Sequence, residues 1–193
     1  AGAEPVYPVA AGTVIYVRHA EQYPRLASGT TVVVEHERGF RSVYTHLEEG
    51  SAPPPGTAVT EQTPIGVVGE TGMTTGRRLR LDIIDTTTGS YVNPFVLLPA
   101  VPDRVPPEVL GVYAQSDTAL IDLRQTPALP AGAYELLVEC RDGWSPGAAQ
   151  GAPYSLLLMV DGQERVSFAC DSIRHVGGEL RIQPGPELGH DDL

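Results

Sequence analysis

Short apolar runs that alternate with polar residues recur along the whole chain, and clusters of glycine and proline separate them. Apolar residues at helical spacing do not persist beyond about two turns, which is too short for an amphipathic helix. Turn-forming segments lie at 37–39, 51–56 and 86–89. Alternation with period two between such turns predicts an all-β protein.

The first half of the chain predicts one antiparallel β-sheet domain over residues 1–100. Its strand candidates lie at 5–18, 30–36, 41–47, 64–70 and 78–85. Within 78–85, Arg78, Arg80 and Asp82 are expected on one face of the strand, because side chains alternate between the two faces. The residues predicted to form the core are Val32, Val34, Val43, Ile65, Val67, Leu79, Leu81 and Ile83.

The second half predicts a small antiparallel β-sandwich of the Ig-like type over residues 109–185. Strand candidates lie at 109–115, 118–123, 132–140, 153–162, 164–170 and 179–183, which is the spacing typical of sandwiches. The predicted core residues are Leu136, Val138, Leu156, Leu158, Val160, Val166 and Phe168.

Segments between and after these two domains have a different composition. Residues 101–108 are proline-rich and predict a linker, and 142–153 predicts a long loop. The acidic end, 186–193, predicts a disordered tail.

Length and charge narrow the function classes. The 193 residues allow one large β domain or two small ones. The formal net charge is −11 and no basic stripe is present, so we expect no nucleic-acid partner. No transmembrane run or signal peptide is visible, and the chain begins inside a strand-like pattern, as expected of a mature or trimmed fragment.

The two cysteines, Cys140 and Cys170, lack the C-x-x-C spacing of metal and redox motifs. Each ends an apolar run. Two interpretations stay open, namely two buried thiols or a disulfide between strands, and the second would fit an exported protein.

Four motifs in the first half occur together in a definite order. They are VYPVAAGTVIYV, then TTVVVEHERGFRSVYTHL, then PPGTAVTEQTPIGVVGETGMTTGRRLRLDI, then VNPFVLL. In order and spacing, residues 5–98 resemble the LytM-type zinc endopeptidases of bacterial cell walls (peptidase family M23, duplicated hybrid motif type). This resemblance implies a LytM-like antiparallel β-sheet domain, followed here by the Ig-like sandwich.

The resemblance also implies where a zinc site would lie. Such enzymes take two ligands from an upstream H-x-x-x-D segment and the third from the second His of H-x-H, and a further His of Y-x-H-L assists catalysis. His46 matches the Y-x-H-L position, whereas Arg78 and Arg80 replace both histidines of H-x-H. Arginine has no lone pair for a metal. We therefore expect a degenerate site without catalytic residues, metal or cofactor, although an H-x-x-x-D segment would lie upstream of Ala1.

The expected function is binding at the former active-site groove. Its predicted residues are His46, Arg78, Arg80 and Asp82, since guanidinium groups bind carboxylates and cell-wall peptides carry carboxylates. The expected partner is peptidoglycan or a cell-wall hydrolase that the domain regulates, in the periplasm or elsewhere outside the bacterial cytoplasm.

Three alternatives stay open. The arginines can simply pair with local acids, of which the candidates are Asp82, Asp85, Glu35 and Glu70. The protein can be an active zinc endopeptidase of peptidoglycan whose ligands lie outside this fragment. It can also be a structural or adhesive β protein.

The remaining histidines predict no metal site. His36 is expected to be exposed at a strand end, and His19 lies in a polar loop. His175 and His190 have no partner at ligand spacing. We do not expect His36, His46 and Glu35 to bind a metal together.

Overall fold

The computed structural model describes residues 4–99, 103, 105–126, 128–143 and 151–183, and about half of them lie in β-strands. No helix in these ranges is long and apolar enough to cross a bilayer. In chain order the elements are β1 (Pro5–Val6), β2 (Gly12–Arg18), β3 (Thr30–His36), β4 (Phe40–Leu47), β5 (Ala58–Val59), β6 (Gly66–Val67), β7 (Arg80–Asp85), β8 (Ser90–Val92), α1 (Pro94–Leu97), β9 (Glu108–Gln115), β10 (Leu120–Asp122), β11 (Glu135–Arg141), β12 (Ser155–Val160), β13 (Gln163–Ala169), β14 (Ser172–Val176) and β15 (Glu179–Gln183).

The main sheet has eight strands in the order β15-β14-β8-β7-β4-β3-β2-β5, and β1 pairs separately with β6. All pairs are antiparallel, as the sequence predicts for the first domain. At its centre, Tyr44 of β4 lies opposite Val32 of β3 on one side and Leu81 of β7 on the other. The predicted strands at 30–36 and 41–47 match β3 and β4 closely.

The chain divides into two compact units, and the first contains the N-terminal hundred residues together with the segment from Phe168 onward. The C-terminal segment joins through β14, whose Ser172 and Ile173 lie opposite Val92 and Tyr91 of β8. The Asn93 side chain reinforces this pairing, since its Nδ2 donates to the Cys170 carbonyl at 2.9 Å. The sequence had placed this segment in the second domain and had not predicted β14, because local alternation carries no information about a partner 80 residues away.

The second unit, residues 101–167, contains a three-stranded sheet in the order β10-β9-β11 and the strand β12, which pairs with β13 in a hairpin. The structure confirms that this half of the chain forms β-strands, but it does not confirm the Ig-like sandwich. Five residues of the predicted core are 38–48% exposed, so they are not the buried core that the sequence predicted: Leu136, Val138, Val160, Val166 and Phe168. Alternation identifies the apolar face of a strand, but it does not supply a second sheet to cover that face.

Two apolar clusters fill the first unit, and Leu81 packs against both of them. The larger cluster consists of Val6, Val14, Val32, Val34, Tyr44, Leu47, Val59 and Ile65, and the smaller of Phe40, Ile83, Val92 and Leu97. The predicted core is thus right for Val32, Val34, Ile65 and Ile83, which are fully buried.

Three other predicted core positions are only partly buried or exposed. Leu79 is 41% exposed, because β7 begins only at Arg80 and not at Arg78. Val43 is half-buried because it lies on the face of β4 opposite Tyr44, and Val67 is half-buried in the short strand β6.

Some predictions fall partly or wholly outside the described ranges. The acidic tail at 186–193 lies outside them, as do parts of the predicted linker at 101–108 and of the loop at 142–153. Both cysteines are partly buried, and no disulfide joins them.

We expect Ile83→Ala to lower the free energy of unfolding by about 2–5 kcal/mol, because a fully buried side chain would leave a cavity in the smaller cluster. Ile15→Ala is the matched control, since Ile15 is 37% exposed. It should cost under about 1 kcal/mol. Urea denaturation of both variants checks this, and equal losses would contradict the assignment of the core.

Candidate functional site

A groove of about 370 Å³ lies on the first unit, against the face of β4 and β7 that points away from the core. All four residues predicted as a site line it, namely His46, Arg78, Arg80 and Asp82. Arg18 and Thr45 line it as well, and the sequence analysis had not singled them out. The structure therefore brings the predicted residues together and adds further residues to the lining, Arg18 and Thr45 among them.

The register between β4 and β7 places the groove side chains. Ser42 and Tyr44 of β4 are fully buried, whereas Val43 and Thr45, which alternate with them, line the groove. On β7, Asp82 lies opposite Val43 and Arg80 lies opposite Thr45. Because paired residues of adjacent antiparallel strands project to the same face, these four side chains share one wall.

Arg78 reaches the same groove from outside β7. It forms an isolated bridge with Gly69, in which the Arg78 amide donates to the Gly69 carbonyl at 3.0 Å. The strand predicted at 78–85 is therefore interrupted at Leu79, but the predicted shared face of Arg78, Arg80 and Asp82 is kept.

His46 is 3% exposed, and its hydrogen bonds define its tautomer. Its Nδ1 lies 2.9 Å from the Thr71 carbonyl oxygen, which can only accept, so Nδ1 carries the proton. The lone pair on Nε2 then faces Arg78 Nη2 at 3.3 Å, and the guanidinium donates. The imidazole is thus a neutral anchor for Arg78.

Thr71 connects the two loops that border the groove, residues 19–29 and 68–79. Its Oγ1 accepts from the Thr30 amide at 2.9 Å and donates to the Leu47 carbonyl at 2.7 Å. The backbones meet closely here, since a β-carbon on Gly29 or Gly72, both at positive φ, would lie 2.4 Å from backbone atoms of the opposing loop. Only glycine fits at this junction.

Glu49 ties down the start of the first loop. Its carboxylate accepts from Thr30 Oγ1 at 2.6 Å and from the Ala20 amide at 2.8 Å, and it lies 2.6 Å from His19 Nδ1. Burial acts to raise the pKa of Glu49, but these hydrogen bonds outweigh it, and the pKa lies below its ordinary value. Glu49 is therefore ionised at neutral pH, and its contact with His19 helps to hold the start of the loop in place.

The charges in the groove are unbalanced. Arg80 donates to both carboxylate oxygens of Asp82, with Nε–Oδ2 at 3.0 Å, so pairing with a local acid describes this arginine. Arg78 contacts no carboxylate in the described chain. Among the described residues, the acceptors of Arg18 are neutral oxygens, which belong to Ser28, Gly29 and Thr31. Three guanidinium groups thus share the groove with one carboxylate, in a chain of net charge −11.

His36 is not the exposed residue that the sequence predicted. It is 6% exposed, its Nδ1 donates to the Ala11 carbonyl at 2.9 Å, and its Nε2 accepts from Ser42 Oγ at 2.7 Å. It follows Val32 and Val34 at period two, so its position on the core face was readable from alternation. His175 lies on β14, and His190 lies outside the described residues.

The residues of the groove do not fit a zinc ion. Across the described ranges, no three His, Cys, Asp or Glu side chains are grouped to hold a metal. Both ring nitrogens of His46 already form hydrogen bonds, and the carboxylate of Asp82 is already paired with Arg80. A tetrahedral zinc site needs three protein ligands with free lone pairs.

Arg18 and Thr45 were missed for different reasons. Thr45 had a signal, because it alternates with Val43 on a strand whose other face is apolar. Arg18 had no such signal in the sequence, because only the pairing of β2, β3, β4 and β7 in the sheet brings it to the same groove as Arg78.

We expect Thr71→Val to lower the free energy of unfolding by about 1–3 kcal/mol, because the buried Thr30 amide would lose its acceptor. Thr74→Val is the matched control, since the Thr74 hydroxyl bonds to the Gly76 carbonyl at an exposed position. Thermal melts of the two variants measure the difference. Equal stability would show that Thr71 does not hold the loops.

Comparisons with known proteins found similar solved structures and one matching family model. No curated protein matches it significantly. Among solved structures, a zinc-containing peptidase from Vibrio cholerae is 32% identical over 41% of this chain and 22% of its own length, with a TM-score of 0.36. The catalytic domain of a variant of EnpA, an M23 protein from Enterococcus faecalis, is 22% identical over 49% of this chain and 70% of its own length, with a TM-score of 0.41. The catalytic domain of lysostaphin from Staphylococcus simulans is 20% identical over 48% of this chain and 68% of its own length, with a TM-score of 0.41.

The chain covers only about a fifth of the Vibrio cholerae peptidase and 55% of LytU, another matching structure. The family model described as peptidase family M23 matches residues 1–94, and this part of the chain is an M23-family domain.

Proposed function

We propose that this M23-family domain is a non-catalytic binding domain, whose groove recognises peptidoglycan or a cell-wall partner such as a wall hydrolase. The proposal places the protein outside the cytoplasm of a bacterium. The observation that carries it is the excess of guanidinium groups in the groove, above all Arg78, which contacts no carboxylate in the described chain.

The replacement of a zinc ligand by arginine supports the loss of catalysis. Arg78 and Arg80 stand where the family's H-x-H pair is expected, and a guanidinium remains protonated at physiological pH. Two fixed positive charges would also repel a divalent cation at short range. The groove therefore favours an anion where the resemblance implies a metal.

The same groups support binding of a wall peptide. A guanidinium offers a planar fork of N–H donors that matches a carboxylate, and such charge-assisted pairs are among the stronger hydrogen bonds in proteins. Peptidoglycan stem peptides carry carboxylates. A groove with unpaired arginines on a protein of net charge −11 attracts such a group locally, while the rest of the surface does not.

We expect the purified chain to retain far less than one zinc per chain after dialysis and to leave purified peptidoglycan uncleaved, because the groove lacks a ligand set. Elemental analysis and release of soluble wall fragments measure the two properties. About one tightly held zinc per chain, or wall cleavage that a chelator abolishes, would overturn the proposal in favour of an active endopeptidase.

We expect Arg78→Glu to weaken co-sedimentation with insoluble peptidoglycan by at least about tenfold, since a charge-assisted contact would become a repulsion. Arg77→Glu is the matched control, because Arg77 is the adjacent residue, pairs with Glu48 at 3.4 Å and does not line the groove. Thermal melts of both variants check that the fold survives.

Two results would contradict the proposed role of the groove. Equal losses in the two variants would mean that binding depends only on overall charge. Unchanged binding of Arg78→Glu would place any wall contact elsewhere on the chain.

A further inference from the structure

We propose, on the basis of the binding function above, that the groove contains an oxyanion site for the free terminal carboxylate of a peptide. Arg78, Arg18 and the hydroxyl of Thr45 form this site. It would make the domain specific for peptide ends and not for internal peptide bonds.

The Thr45 hydroxyl is the first observation. Thr45 is 4% exposed and lines the groove, and its Oγ1 is a buried side-chain atom without a hydrogen-bond partner in the described chain. Buried hydroxyl groups are almost always paired, so an unpaired one indicates a missing partner. The side chain opposite it on β7 is that of Arg80, which is 62% exposed. A ligand oxygen can reach Thr45 if Arg80 moves aside.

The orientation of Arg78 is the second observation. Neutral His46 holds one terminal nitrogen, Nη2, through an accepting lone pair, which positions the guanidinium without neutralising it. A guanidinium carries five N–H donors, and the other donors of Arg78 have no acceptor among the described residues. They are available to an anion in the groove.

Arg18 is the third observation. Its Nε and Nη2 donate to neutral oxygens where the loop meets β3, so its charge is also uncompensated. Because these hydrogen bonds fix the side chain, little conformational entropy is lost when an anion binds. Arg18 and Arg78 together supply two fixed positive charges.

The charges and the volume of the groove favour a small ligand that carries a single negative charge. Asp82 contributes one negative charge, which disfavours a phosphate dianion more than a carboxylate. A volume of about 370 Å³ is near the lower limit of ligand pockets, which suits the last residues of a peptide. Ala27 and Met73 line the groove and offer apolar contact to the terminal side chain.

The test compares two synthetic wall stem peptides by titration calorimetry with the whole chain. Both carry an amidated glutamate, so that they differ only in ending as a free carboxylate or as a carboxamide. We expect the free acid to bind at least about tenfold more tightly, because the hydrogen bonds to a charged group are lost in the amide. Inorganic phosphate and a glycerol phosphate polymer are added as competitors.

Thr45→Val separates a ligand contact from a structural role. We expect it to weaken binding of the free acid several-fold while the melting temperature of the ligand-free protein stays equal or rises, since an unpaired buried hydroxyl is removed. Thr74→Val should change neither quantity. Arg78→Lys should also weaken the free acid, because the charge is kept but the planar fork is lost.

The outcomes distinguish this inference from the function on which it rests. Equal affinity for acid and amide overturns the terminal-carboxylate site, and the proposed function then still stands if Arg78→Glu loses peptidoglycan binding. Competition by phosphate or its polymer at the strength of the peptide acid also overturns the site. A lower melting temperature of Thr45→Val with unchanged affinity overturns the assignment of Thr45. If Arg78→Glu still binds both the peptide acid and peptidoglycan as the unaltered chain does, the terminal-carboxylate site and the proposed function are both overturned.

Discussion

Side chains on β4 and β7 project alternately to the two faces of one sheet, and the antiparallel register locks the two alternations together. Tyr44 and Ile83 are fully buried on one face, so Thr45 and Asp82 must lie on the other. A slip by one residue would bury charged groups and expose the core, which makes the register strongly specified. The free energy that buries the apolar face therefore also holds the groove residues in place.

Much of this arrangement could be predicted from local sequence, and the exceptions have a common cause. Alternation across Arg78, Arg80 and Asp82 was enough to predict their shared face, and motif order was enough to identify the M23-family domain. The burial of His36, the approach of Arg18 and the pairing of β14 with β8 depend on contacts between distant segments. The exposed apolar residues of the second unit show the same limit, since a strand pattern does not contain the surface that would cover it.

The charge of the whole chain and the charge of its groove have opposite signs. A net charge of −11 favours solubility and repels polyanions at long range, but it does not determine the field inside a concave site. There, Arg18 and Arg78 are held by neutral partners, Gly29 and His46 among them, which orient the charges without cancelling them. Salt screens partly buried charges less, so the field of the partly buried Arg18 persists at salt concentrations that screen the long-range repulsion.

The pairing of β8 with β14 affects where the chain can be divided. The family match ends at residue 94, which invites a fragment that stops near residue 100. Such a fragment would lose β14 and β15, and β8 would become an edge strand with unpaired N–H and C=O groups. Open edges of this kind recruit strands from other molecules and promote aggregation. The C-terminal strands thus protect the sheet edge, and a soluble fragment of the domain would need to retain them or replace them with another cover.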